Sequence, residues 1–128
     1  MVQPELLTLV GYWDGPETDH SWPSPTDFID ESWDAEERDF IASYLLMGLV
    51  VRTYMGYSRC RICGRENGDS ELSDGRFVWP IGLSHYVSQH GVRLPSRFVD
   101  HAIRTIERLE SLERDEDWWR EIGRAVSR

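Results

Sequence analysis

Apolar positions along the chain change period several times, and each change predicts an element. Leu6, Leu7, Leu9, Val10 and Tyr12 form a run over Glu5–Trp13 that reads as a short strand, stopped by Asp14-Gly15-Pro16. From Gly15 to Pro25 the chain is polar and proline-rich, and Trp22-Pro23-Ser24-Pro25 excludes helix by fixing φ and removing donors. A helix follows, with Ser32 or Asp30 as its cap and Asp34, Glu36 and Glu37 in its first turn. Trp33, Phe40, Ile41, Tyr44 and Leu45 give it an apolar stripe, and Gly48 stands where a C′ glycine would end it.

Leu49–Tyr54 is β-branched and aromatic, which suits a strand leading through Gly56 to the cysteines. Between Glu71 and Trp79, Asp74-Gly75 signals a hairpin turn. Pro80 suits the first position of a short helix with Leu83, Tyr86 and Val87 on its apolar face and Gly91 at its end. Pro95-Ser96 opens a long helix, capped by Ser96 and running to about Arg114. Its stripe is Phe98, Val99, Ala102, Ile103, Ile106, Leu109 and Leu112. The charged break Asp115-Glu116-Asp117 precedes Trp118, Trp119, Ile122 and Val126, which form a separate terminal helix or a bent continuation.

Strands and helices in this order predict an α+β fold, and 128 residues suit one domain covering the whole chain, 1–128. Six tryptophans and an apolar fraction of 40% place the chain among folded proteins, with the tryptophans expected mainly in the core and Trp22 expected to be exposed. No apolar run is long enough for a membrane span, and the first residues lack the features of a signal peptide, so a cytoplasmic location with no membrane partner is the expectation.

The chemistry concentrates in a few positions. Cys60 and Cys63 are the only two cysteines, spaced C-x2-C and followed by Gly64; His85 and His90 follow on the short helix as H-x4-H. Paired thiolates two residues apart can face one ion across a tight turn, and two imidazoles complete a tetrahedral zinc set. The expected metal ligands are therefore Cys60, Cys63, His85 and His90, with zinc as the cofactor. Five residues on an ideal helix separate the two imidazoles by roughly 140°, so the last turn must tighten or loosen near Gly91. A redox pair, two buried thiols, a different metal, or His101 in place of His90 are the other readings of the same residues.

A cysteine turn, a hairpin and a helix bearing histidines, over about residues 58–92, resemble zinc-finger-type modules built from a zinc knuckle, a β-hairpin and an α-helix. With 21 residues between Cys63 and His85 the arrangement looks closer to a treble clef than to the two-Cys two-His finger that reads DNA. The resemblance implies a small zinc-bound knuckle-hairpin-helix module, and the helices read above make this module packed on a helical body with a long C-terminal helix the expected fold.

Charge separates the possible tasks. Net charge is −9, yet residues 1–51 hold eleven acids against Arg38 alone, whereas residues 52–97 hold seven arginines against four acids. All 14 basic residues are arginine, as in the bacterial-like composition of a GC-rich genome. Four protein ligands close a zinc shell, and no H-E-x-x-H or H-x-E signature accompanies them; Asp19-His20 and Asp100-His101 do not precede a hairpin as a nuclease would require. The expectation is a non-enzymatic zinc-binding protein with no catalytic residues, a structural metal and an acidic face for a protein partner, as an inhibitor, immunity or accessory protein would have. The alternative is a nucleic-acid-binding protein that places Arg59, Arg61, Arg65, Arg76, Arg93 and Arg97 on phosphates.

Overall fold

Four short strands and four α-helices make up the computed structural model, which describes residues 5–16, 18 and 21–127. Asp19-His20 and the first four residues lie outside that range. The strands are β1 (Thr8–Leu9), β2 (Leu49–Thr53), β3 (Ser70–Ser73) and β4 (Phe77–Pro80), and the helices are α1 (Ala35–Leu46), α2 (Leu83–His90), α3 (Ser96–Ser111) and α4 (Asp117–Val126). The α+β class holds. A 3-10 turn over Pro25–Phe28 follows the proline-rich loop.

The sheet runs β1-β4-β3-β2, with β2, β3 and β4 an antiparallel meander and β1 parallel to β4. The expected strand over Glu5–Trp13 shrinks to the two residues of β1, because beyond Leu9 the chain turns into Trp13, which packs on Phe28 and Tyr86. The expected hairpin at Asp74-Gly75 is present between β3 and β4. β3 also pairs with β2, however, so the hairpin belongs to a larger sheet that joins the cysteine-bearing segment to the rest of the fold.

Helix boundaries differ from the sequence expectation for local reasons. Asp34 caps α1, its carboxylate accepting from Glu37 N–H at 2.9 Å, while Asp30 accepts from Ser32 and pairs with Arg93. Pro80 closes β4 instead of opening a helix, since β4 pairs through it with Glu71. Pro95 is the N-cap of α3, and Ser96 is its first helical residue. That helix stops at Ser111, short of Arg114, and α4 is a separate helix.

Gly48 does follow α1, but it does not take a left-handed conformation. A Cβ there would meet Trp79 Cζ2 at 2.8 Å and Leu72 Cβ at 2.9 Å. The glycine is required by the close passage of the chain over β3 and β4.

The core lies between the sheet and α1, α2 and α3. Trp79 is fully buried, packs tilted against Tyr44 and edge-on to Phe98, and donates Nε1–H to Leu45 O at 3.0 Å. Ser84 Oγ donates to Ala42 O at 2.8 Å, locking α2 onto α1 without leaving a buried hydroxyl unpaired. Trp13 and Trp33 are also buried, whereas Trp22, Trp118 and Trp119 are exposed, so the expectation of a mainly core role holds for half of the tryptophans. The stripe of α3 divides similarly: Phe98, Val99 and Ala102 are buried, while Leu109 and Leu112 face outward.

Candidate metal centre

The segment between β2 and β3 is a continuous arm whose two sides pair beyond the strands. Tyr54 N–H donates to Asp69 O, Ser58 N–H to Gly68 O, and Asn67 N–H to Ser58 O, and the backbones of Arg59 and Glu66 form an antiparallel β-bridge. This arm ends in the cysteine turn. Cys60 N–H donates to Arg65 O at 2.8 Å, Gly64 N–H donates to Cys60 O at 2.9 Å, and Gly64 adopts φ 74° to let the chain return. Ile62 N–H points at Cys60 Sγ, 3.4 Å away, as backbone donors do in a thiolate-holding turn.

The arm is held against the start of α2 by contacts that admit no larger residue. A Cβ on Gly82 would meet Asn67 Cγ and Asn67 O at 2.3 Å. Asn67 Nδ2 donates to Gly82 O at 3.1 Å, and Tyr86 Oη accepts from Arg61 N–H at 2.7 Å. Asn67 and Tyr86 escaped the sequence reading. Tyr86 was legible only as part of an apolar helix face, and Asn67 only as a loop residue.

The C-terminal turn of α2 settles the spacing problem of the histidines. Gly91 N–H and Val92 N–H both donate to Tyr86 O, five and six residues back, and Gly91 then turns left-handed at φ 65°. The last turn is thus widened, which brings residues five apart nearer to one face. The His85 and His90 rings lie 4.9 Å apart, centroid to centroid, at 80°.

Cys60, Cys63, His85 and His90 converge, each offering one ligand atom, with all four atoms within 4.8 Å of one another. Cys63 Sγ lies 3.4 Å from His85 Nε2. Ligand atoms around a tetrahedral zinc stand about 3.3–3.8 Å apart, by simple geometry from bond lengths of 2.0–2.3 Å, so an ion would draw the set inward by roughly 1 Å. Cys60 is buried, Cys63 is exposed, and the two histidines are half-buried. His90 Nε2 is itself buried and has no hydrogen-bond partner among the described residues, a cost that a bound cation would remove.

Electrostatics favour the ligand forms of two of these groups. The Arg65 backbone N–H holds the Cys63 thiol below its usual range, with Cys60 and the Arg65 charge adding to the effect and burial opposing it. Burial lowers His85, and the nearby His90 and Arg65 charges lower it further. Thiolate and neutral imidazole are the forms that bind metal. Tyr86, next to Cys60, is pushed up to about 12 chiefly by burial and stays a neutral hydroxyl.

His101, the alternative ligand, stands apart, with Nε2 2.8 Å from Asp74 Oδ2. These four residues therefore form a group that could hold a metal ion. A scan of protein-family models and searches of curated proteins and solved structures find no match to the chain. Among the described residues, no helix is long and apolar enough to cross a membrane.

Proposed function

We propose that Cys60, Cys63, His85 and His90 hold one zinc ion as a structural centre in a treble-clef-like module, and that the protein is a non-enzymatic zinc-binding protein acting through a protein partner. The observation that carries this reading is the convergence of two thiols from the arm with two imidazoles from α2 inside 4.8 Å. Two sulfurs and two nitrogens suit zinc, and four protein ligands complete its tetrahedral shell, leaving no position for a reacting water. The ion would tie the tip of the β2–β3 arm to α2, adding its binding free energy to folding.

The partner surface is the acidic N-terminal third. Asp27, Glu31, Asp34, Glu36 and Asp39 are all exposed around the start of α1, a face suited to a basic protein surface in an inhibitor, immunity or accessory role. Nucleic-acid recognition by the central arginines has less support, because those side chains are dispersed. Arg93 is paired with Asp30 and stacked over Trp33, Arg59 Nη1 donates to Gly64 O, and Arg76 and Arg97 line a separate cleft on α3.

Native mass spectrometry tests the metal. The expected result is one zinc per chain, lost on chelation, and protein purified without chelator but free of metal would overturn the reading. The partner is tested with Glu36→Arg and Asp39→Arg, which should abolish a complex formed by the unaltered protein; retention of the complex would remove the acidic face from the proposal.

A further inference from the structure

On a cleft whose lining includes none of the candidate metal ligands, four arginines converge with no ion pair among the described residues. Arg97, Arg104 and Arg108 recur on α3 at intervals of seven and four residues, which places them on one helix face with His101. Arg76, from the turn between β3 and β4, reaches the same face. The four line an open cleft of about 320 Å³ together with Phe77, His101 and Thr105. That volume falls at the lower end of small-ligand sites, roughly 300–1,000 Å³.

No ion pair involves any of the four among the described residues. Arg97 lies over the Phe77 ring at 5.7 Å, which fixes its guanidinium at the wall of the cleft. Asp74, which contacts the lining residue His101, is already engaged: its oxygens accept from Tyr44 Oη and from the backbone N–H groups of Arg76 and Phe77, and face His101. An ionised carboxylate only accepts, so His101 Nε2 carries the proton of that contact. Among the described residues the four guanidiniums have no carboxylate partner, in a chain of net charge −9.

We infer that this cleft binds a short phosphate-bearing polyanion, of the di- or triphosphate class. Guanidinium forks match phosphoryl oxygens bidentately, and four of them balance the charge of a few linked phosphates. Ligand length is limited by the surroundings. Asp100 and Glu107 border the stripe on one side of α3, and Glu110, Glu113, Asp115 and Glu116 follow it in the chain, so the basic surface does not continue as a track for a long nucleic-acid backbone. The inference does not depend on the metal centre, whose residues lie on the arm and α2.

The test is calorimetric titration of the full chain at low ionic strength with inorganic triphosphate, inorganic phosphate and single-stranded oligonucleotides of increasing length. Triphosphate should bind more tightly than phosphate, and Arg104→Ala combined with Arg108→Ala should weaken it by at least about tenfold. Arg59→Ala, on the arm, should leave the affinity unchanged. Both helix substitutions are at exposed positions, and circular dichroism of the double variant should match that of the unaltered protein. Absence of triphosphate binding, equal binding by the double variant, or oligonucleotide affinity that exceeds triphosphate and grows with length would each overturn the inference.

Discussion

His101 Nε2 and Asp74 Oδ2 lie 2.8 Å apart, joining α3 to the turn of the β3–β4 hairpin. Tyr44 Oη donates to the same oxygen at 2.6 Å, so a single carboxylate ties the hairpin to both α1 and α3. Burial raises the Asp74 pKa, but the bonds from Tyr44, the Phe77 and Arg76 N–H groups and His101 outweigh it and hold the carboxyl below its usual value. Replacing one partner of a charged, half-buried bond leaves the others unsatisfied. Asp74→Asn should therefore cost about 1.5–3 kcal/mol in denaturant unfolding.

The same residue gives a pH signature. A carboxyl whose folded pKa is lowered contributes stability that is complete above the unfolded value, near pH 4, and is lost as pH falls through the folded value. Urea midpoints measured from about pH 5 downward should fall less steeply for Asp74→Asn than for the unaltered protein. Equal slopes would show that Asp74 is not held ionised by these bonds.

His90 and His101 are separable as ligands. Metal content should fall to near zero in His90→Ala and remain complete in His101→Ala, because His101 is committed to Asp74 on a different face. Cys63→Ser should also lose metal and lose amide protection along Ser58–Gly68. Phe98, Val99 and Ala102 bury α3 in the core and should preserve its helicity. Hydrogen exchange with metal analysis distinguishes these outcomes.

At Gly82 a methyl group has no room, since the Asn67 backbone oxygen lies 2.3 Å from where it would sit. Gly82→Ala should push the arm away from α2 and destabilise the protein by roughly 1–3 kcal/mol. Thermal unfolding with and without chelator should show the variant less responsive to metal. An unchanged response would mean that the arm is not seated by this contact.

Trp79→Ala empties the centre of the core and also removes the donor to Leu45 O. A loss of about 3–5 kcal/mol is expected from chemical denaturation. Trp118→Ala, on the exposed face of α4, should change stability by no more than about 0.5 kcal/mol in the same measurement.

Much of this architecture was written locally. The Asp74-Gly75 turn, the strand over Leu49–Thr53, the stripe of α1 and the break before α4 follow from residues within a few positions of one another, where backbone preference and periodicity act. The four candidate ligands were legible because few residue types bind soft metals and their spacing is restrictive. Where the prediction failed, a distant partner intervened: Pro80 pairs with Glu71 across the sheet, and the strand expected over Glu5–Trp13 stops at Leu9 as the chain turns to pack Trp13 on Phe28 and Tyr86.

The sequence by itself thus determined the element types, the α+β class and the candidate ligand set. Tertiary structure alone decided that β1 lies parallel to β4, and that α2 ends in a widened turn bringing His90 toward His85. It also brought Arg76 to the arginines of α3. Local conformational preference acts over a few residues, whereas strand pairing, burial and the convergence of like charges depend on which distant segments share space.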